Sequence, residues 1–153
     1  GMEYGKFSET NLRDVPVEVF RKFGDRLPEN WRKRAEHWFG EYARVEKGAE
    51  AWRNGDIEAF GQLSFESGRS SIEKWETGSP ELKKIYEIMT RTDGIYGGRF
   101  SGAGFKGCCM ALIDPSFKEE IFKKIETEYL AKFPDLRGHY SACICHSADG
   151  VKI

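Results

Sequence analysis

The stretch Gly94–Ile113, GIYGGRFSGAGFKGCCMALI, constrains this chain more than any other. Glycines at 94, 97, 98, 102, 104 and 107 crowd the approach to an apolar run, Cys108–Ile113, long enough for a buried strand. Glycine reaches positive φ at no steric cost and lets another backbone, or a phosphate, come close. The residue types therefore predict a strand, a tight glycine loop and a second strand. Two readings of the loop stand side by side: a bulged hairpin turn, or an anion-cradling nest of backbone N–H groups. Arg99 at the end of the first strand has two readings as well. It grips a carboxylate or phosphate in a bidentate fork, or it ties the loop to Asp93 or another acid.

Helical signals surround this hairpin. Residues 1–28 read as an irregular arm with one short helix, Val17–Phe23, behind Pro16, and residues 29–153 read as the domain proper. From Asn30 to Arg53 the apolar residues Trp31, Ala35, Trp38, Tyr42, Val45, Ala49 and Trp52 step by four and three, which places all seven on one helix face and predicts that this face fills a core. Asn54–Gly55 stops that helix and Asp56 is an N-cap for the next, Ile57 to about Trp75. The second helix aligns Gly61, Ser64, Ser67, Gly68 and Ser71, small residues that predict close packing on a neighbour. Ser79–Pro80 and Asp114–Pro115 each pair a cap with proline at the first helical position. A last strand is predicted at Tyr140–Cys145, closed by an Asp149–Gly150 turn. Helices combined with an antiparallel sheet give an α+β class.

With 153 residues the chain has one domain's length, and its net charge of −1 argues against a nucleic-acid surface or a polybasic membrane patch. Neither a membrane-spanning run nor a signal-peptide pattern is found, so the expected location is the cytoplasm. The four cysteines, 108, 109, 143 and 145, lie in strand candidates without paired C-x₂-C knuckles, which favours reduced core thiols over a metal site. No serine or cysteine elbow accompanies His37, His139 or His146, so each is read as structural or exposed. Nothing matches G-x-x-x-x-G-K-S/T.

The loop Gly97–Cys109, GGRFSGAGFKGCC, resembles the third signature motif of the GHMP sugar kinases, whose galactokinase branch reads close to G-x-R-M-T-G-G-G-F-G-G-C. RKRAEHWFGEYARV (Arg32–Val45), GDIEAFGQL (Gly55–Leu63), SPELKKI (Ser79–Ile85) and SADGVKI (Ser147–Ile153) are similar to the same branch in the same order. Within it, the FSGAGFKGCC wording is similar to galacturonokinases. The resemblance implies a ferredoxin-like, split β-α-β antiparallel sheet with packed helices, and the C-terminal half of an ATP-dependent sugar 1-kinase. It implies ATP and Mg²⁺ as cofactors and a sugar as ligand. It also implies that the nucleotide loop and acidic base lie in an N-terminal half to which nothing here corresponds, so no catalytic residue is assigned.

The resemblance further implies a nucleotide- or substrate-proximal loop made of Arg99, Ser101, Gly102, Ala103, Gly104, Phe105, Lys106 and Gly107. Gly102, Gly104 and Gly107 would keep it narrow, while Ser101 and Ala103 would line the approach. Ala103 and Lys106 stand where galactokinases carry glycine, and Lys106 either faces a phosphate or uronate or is an ordinary exposed lysine. Gly68 stands where they carry histidine, which puts a binding role for SGRS in doubt. The family's sheet begins with a strand upstream of the long helix, and the expected fillers of that slot are the arm near Glu3–Ser8 or a second copy. The expected partner is therefore the N-terminal kinase half or another copy of this chain. A half that awaits a partner is expected to expose apolar surface at Phe100, Phe105 and the tryptophan-bearing helix. Two rival readings are a stand-alone, non-catalytic domain that binds a ligand or dimerises, and a complete small enzyme of another kind, for which no acid–base or nucleophile set is found.

Overall fold

A computed structural model describes residues 11–146 and 149. Five α-helices and two strands follow one another as α1 (Val17–Phe23), α2 (Glu29–Arg53), α3 (Ile57–Glu73), α4 (Pro80–Met89), β1 (Ile95–Phe100), β2 (Cys109–Ile113) and α5 (Lys118–Lys132). The expected α+β domain is present, with helices packed against an antiparallel hairpin. Local chemistry sets the helix starts. Asp56 Oδ1 accepts a hydrogen bond from Ala59 N at 2.9 Å and opens α3, and Ser79 Oγ accepts one from Leu82 N at 3.3 Å and opens α4 behind Pro80. At the second cap–proline pair, Asp114 caps a single 3₁₀ turn, Pro115–Phe117, before α5 begins.

β1 and β2 pair from Ile95↔Ile113 to Phe100↔Cys109, with Tyr96 as an extra residue between the Ile95 and Gly97 pairs. Gly97 is buried under α3, and Gly98 is backed by Met89 of α4, so the hairpin lies between helices. The core joins Phe65 of α3, Tyr86, Ile88 and Met89 of α4, and Ile121, Ile125, Tyr129 and Leu130 of α5. Tyr86 Oη donates to Phe65 O at 2.6 Å, which satisfies the hydroxyl inside that core.

The small-residue side of α3 packs as expected: Gly61, Ser67, Gly68 and Ser71 are buried. α2 corrects its expectation. It docks on α3 through Glu41, Arg44, Gly48 and Ala51, and the four-three apolar stripe points outward, with Trp31, Tyr42, Val45 and Trp52 at 57, 55, 69 and 58 % exposure. Small Gly48, against the Phe60 ring, permits the close approach, and Glu41 accepts from Ser67 Oγ across the face and from Arg44 Nε within α2. The strand expected at Tyr140–Cys145 is also corrected. Residues 141–146 are exposed and join no ladder, because among the described residues no sheet edge receives their backbone groups. The proposed edge filler, Glu3–Ser8, and the Asp149–Gly150 turn lie outside the described residues, apart from Asp149 itself.

Candidate functional site at the glycine loop

β1 passes into the loop at Phe100, which is 1 % exposed, so the expectation that Phe100 belongs to an exposed patch is corrected. Its ring is enclosed by two glycines. A Cβ on Gly104 would stand 2.5 Å from the ring and one on Gly78 3.2 Å, so side chains at either position would displace the phenyl. Both glycines have positive φ, +81° and +99°. Gly104 O accepts a hydrogen bond from Ser79 N at 2.6 Å, tying the loop to the first turn of α4. Ser101 N donates to Cys108 O at 2.9 Å and closes the base of the loop.

The rest of the loop is open. Gly102 and Gly107 have φ of +69° and +111°, and a Cβ on Gly102 would meet nothing within 4 Å. Glu76 alone among the described non-glycine residues has positive φ, so Ala103 sits in an ordinary backbone region that a side chain tolerates. Ala103, Phe105 and Lys106 are exposed, Phe105 at 63 %, and Ser101 is half-buried. The loop thus has a fixed inner limb, Phe100–Gly104, and an outer rim, 102–107, that presents backbone and a phenyl ring to whatever approaches.

Arg99 does not reach that rim. Its guanidinium turns into the seam between α2 and α3, where Nη1 donates to Ser67 Oγ and to Glu41 Oε2 (3.4 Å) and Nη2 donates to Ser71 Oγ (3.4 Å). Glu41 also accepts from Ser67 Oγ at 2.7 Å and from Arg44 Nε at 2.7 Å. Burial alone would raise the Glu41 carboxyl, but the Ser67 and Arg44 hydrogen bonds and the Arg44 charge hold it below the usual carboxylate range. The acid that holds Arg99 is therefore Glu41, across 58 positions of sequence, and not Asp93. No local pattern signals such a pair.

Gly68 gains a packing explanation in the same seam. A Cβ there would stand 2.5 Å from the Tyr86 ring and 3.3 Å from Arg99 Cβ, so a histidine cannot occupy the position in this arrangement. The neighbouring Ser67 and Ser71 hold the arginine. Also between α2 and α3, His37 Nδ1 lies 2.8 Å from Ser70 Oγ, and burial lowers its pKa below the ordinary histidine value. Two open grooves, of about 270 and 430 Å³, run between α2 and α3, and no residue of the glycine loop lines either. Among the described residues no group of three His, Cys, Asp or Glu side chains gathers to hold a metal ion, and no helix is long and apolar enough to cross a membrane.

Residues 49–132 match the family model described as GHMP kinases C terminal, and the chain belongs to that family. It is 40 % identical over 149 residues to a galacturonokinase of Arabidopsis thaliana, which covers 95 % of this chain and 35 % of that protein. It is 33 % identical over 143 residues to a galactokinase of Homo sapiens, covering 94 % of the chain and again 35 % of the relative. The crystal structure of Lactococcus lactis galactokinase complexed with galactose superposes with a TM-score of 0.75 at 28 % identity, over 82 % of this chain and 32 % of that one. The chain thus spans about a third of the length of these relatives and matches their C-terminal part.

Proposed function

We propose that this chain is the C-terminal part of an ATP-dependent sugar 1-kinase of the galactokinase or galacturonokinase type. The observation that carries the proposal is the match of nearly the whole chain to relatives with those two names. Phosphoryl transfer is mostly positioning and electrostatic stabilisation, and needs a phosphate cradle, Mg²⁺ and a group that orients the attacking hydroxyl. The loop rim fits one side of such a cradle. Gly102 and Gly107 leave the backbone uncovered, so N–H groups can approach an anion, and Lys106 adds a cation for a phosphate or a uronate carboxylate. Ser101 and Ala103 line the approach, and Phe105 supplies apolar contact to the nucleotide-binding part of the kinase.

ATP would supply the transferred phosphoryl group, and among the described residues no cluster of His, Cys, Asp or Glu gathers that would hold its Mg²⁺. Arg99 acts through the loop's first residue and not by touching ligand, since its donors are committed to Glu41, Ser67 and Ser71. Four cysteines carried as free thiols support a reducing compartment, the cytoplasm. The test joins this chain to the first two-thirds of the plant galacturonokinase and follows ADP release with galacturonate and galactose in turn. Sugar-dependent ADP release supports the reading. A folded chimera that binds nucleotide yet releases no ADP with either sugar contradicts it.

A further inference from the structure

Glu76 stands in a backbone conformation that does not suit its residue type. Its φ is +59°, in the left-handed region, and no other described non-glycine residue has positive φ. It lies just past the end of α3, where glycine is the usual residue because a Cβ there is strained. The carboxylate that glycine would lack is held from α2: Arg34 Nη2 donates to Oε2 at 2.7 Å and Lys33 Nζ to Oε1 at 3.2 Å. Arg34 is fixed in turn, since its Nη1 donates to the Lys74 carbonyl oxygen and its guanidinium lies over the Trp75 ring at 5.7 Å. Lys33 is shared with Glu29 at 3.1 Å, so Arg34 is the principal partner. The Arg34 and Lys33 hydrogen bonds hold the Glu76 carboxyl below the ordinary glutamate range. A strained residue persists where its surroundings over-determine it, and such places concentrate at sites that work.

The residues after Glu76 lead directly to the glycine loop. Thr77 is buried, and its N and Oγ1 both donate to Ser71 O at 3.1 Å. Gly78 lies against the Phe100 ring, and Ser79 N donates to Gly104 O at 2.6 Å. Only two residues therefore separate the carboxylate gripped by α2 from the amide that holds the loop. We propose that Glu76 is a positioning residue of the glycine loop: Arg34 and Lys33 clamp its side chain, the clamp sets the course of residues 77–79, and that course seats Gly104 and the loop rim. Helix termination alone does not account for the residue, because glycine would end α3 without strain and without partners on α2. The clamp's effect on the loop stands on this geometry, whereas its effect on phosphoryl transfer rests on the kinase reading.

The experiment is amide hydrogen exchange on the full chain, read at Ser79 by NMR, with Ile88 in the core of α4 reporting global opening. Glu76→Gln keeps the shape and removes the charge. It is expected to speed Ser79 exchange about fivefold, the effect of a networked exposed ion pair, and to leave Ile88 unchanged. Arg34→Gln is expected to speed Ser79 likewise, and R34Q/E76Q to be no faster than Arg34→Gln alone, since both changes break one contact. Glu76→Gly separates the clamp from a helix stop: it too is expected to speed Ser79 exchange, whereas a residue that only ends the helix would give unchanged or slower exchange once glycine removes the strain. Ser79 exchange indifferent to Glu76→Gln or Glu76→Gly, or accelerated equally at Ile88, overturns the proposal. In the chimera with the galacturonokinase N-terminal part, Glu76→Gln is expected to raise the KM for Mg-ATP severalfold with kcat less affected, and an unchanged KM overturns the role in positioning the rim for nucleotide. A chimera without activity contradicts the kinase reading, and exchange at Ser79 still decides the clamp.

Discussion

Gly61 of α3 and Gly97 of β1 meet backbone to backbone: a Cβ added to Gly97 would stand 2.0 Å from the Gly61 carbonyl oxygen, and one on Gly61 2.2 Å from the Tyr96 carbonyl oxygen. Neither neighbour is a side chain that can swing away. Gly97→Ala is therefore expected to destabilise the fold by about 3 kcal/mol or more, at the upper end for overpacking because backbone must shift. Gly102→Ala, at φ +69° in open space, should cost only about 1 to 2 kcal/mol of conformational strain. Urea unfolding of the two variants beside the wild type measures the difference, and equal losses would refute the close packing.

The Glu41 network predicts a pH dependence. Because the folded carboxyl titrates below its ordinary value, the unfolded chain takes up its proton first as pH falls. Its contribution is complete above the ordinary glutamate range, near pH 4.5, and is lost as pH drops through the lower folded value. Glu41→Gln should cost about 1 to 2 kcal/mol at neutral pH, since it leaves Arg99 and Arg44 with a neutral partner. The same variant should lose less stability between pH 5 and pH 3 than the wild type. Urea midpoints across that range check both statements.

Cysteine chemistry separates the four thiols. Burial pushes the Cys109 thiol up to about 12, and its sulfur contacts the Leu82 carbonyl at 3.6 Å. Cys108, Cys143 and Cys145 are exposed. Alkylation with iodoacetamide at pH 8, read by peptide mass spectrometry, should label those three while Cys109 stays unmodified until denaturant is added.

Phe105 tests the loop rim. Its exposed ring packs on nothing that folding requires, so Phe105→Asp should leave the melting temperature within about 2 °C, the effect of a surface change of at most 0.5 kcal/mol. In the chimera with the galacturonokinase N-terminal part it should lower sugar-dependent ADP release at least tenfold. An unaltered rate would remove the rim from the site.

The legible parts of this fold are those fixed by short-range chemistry. Asp56 and Ser79 mark helix starts because their side chains bond the first-turn N–H groups wherever they stand, and the glycines at 102, 104 and 107 do adopt positive φ. The docked face of α2 is not legible in the sequence for a physical reason: a four-three apolar period marks one side of a helix but not which body, if any, covers it. The strand at Tyr140–Cys145 depends on an edge elsewhere in space, which its own residues do not encode. Arg99 stands out in the sequence by its place beside the glycines, yet its partner Glu41 is set by the α2–α3–β1 contact, which requires the tertiary fold.

The most direct measurement is ADP release from Mg-ATP by this chain alone at high concentration, with galactose and galacturonate offered separately. No turnover above background is expected with either sugar, because in the proposed arrangement the loop rim is one side of a cradle and the base lies in the rest of the kinase. Turnover that persists through repeated purification would place a complete catalytic set within these residues and contradict the assignment to the C-terminal part of a kinase.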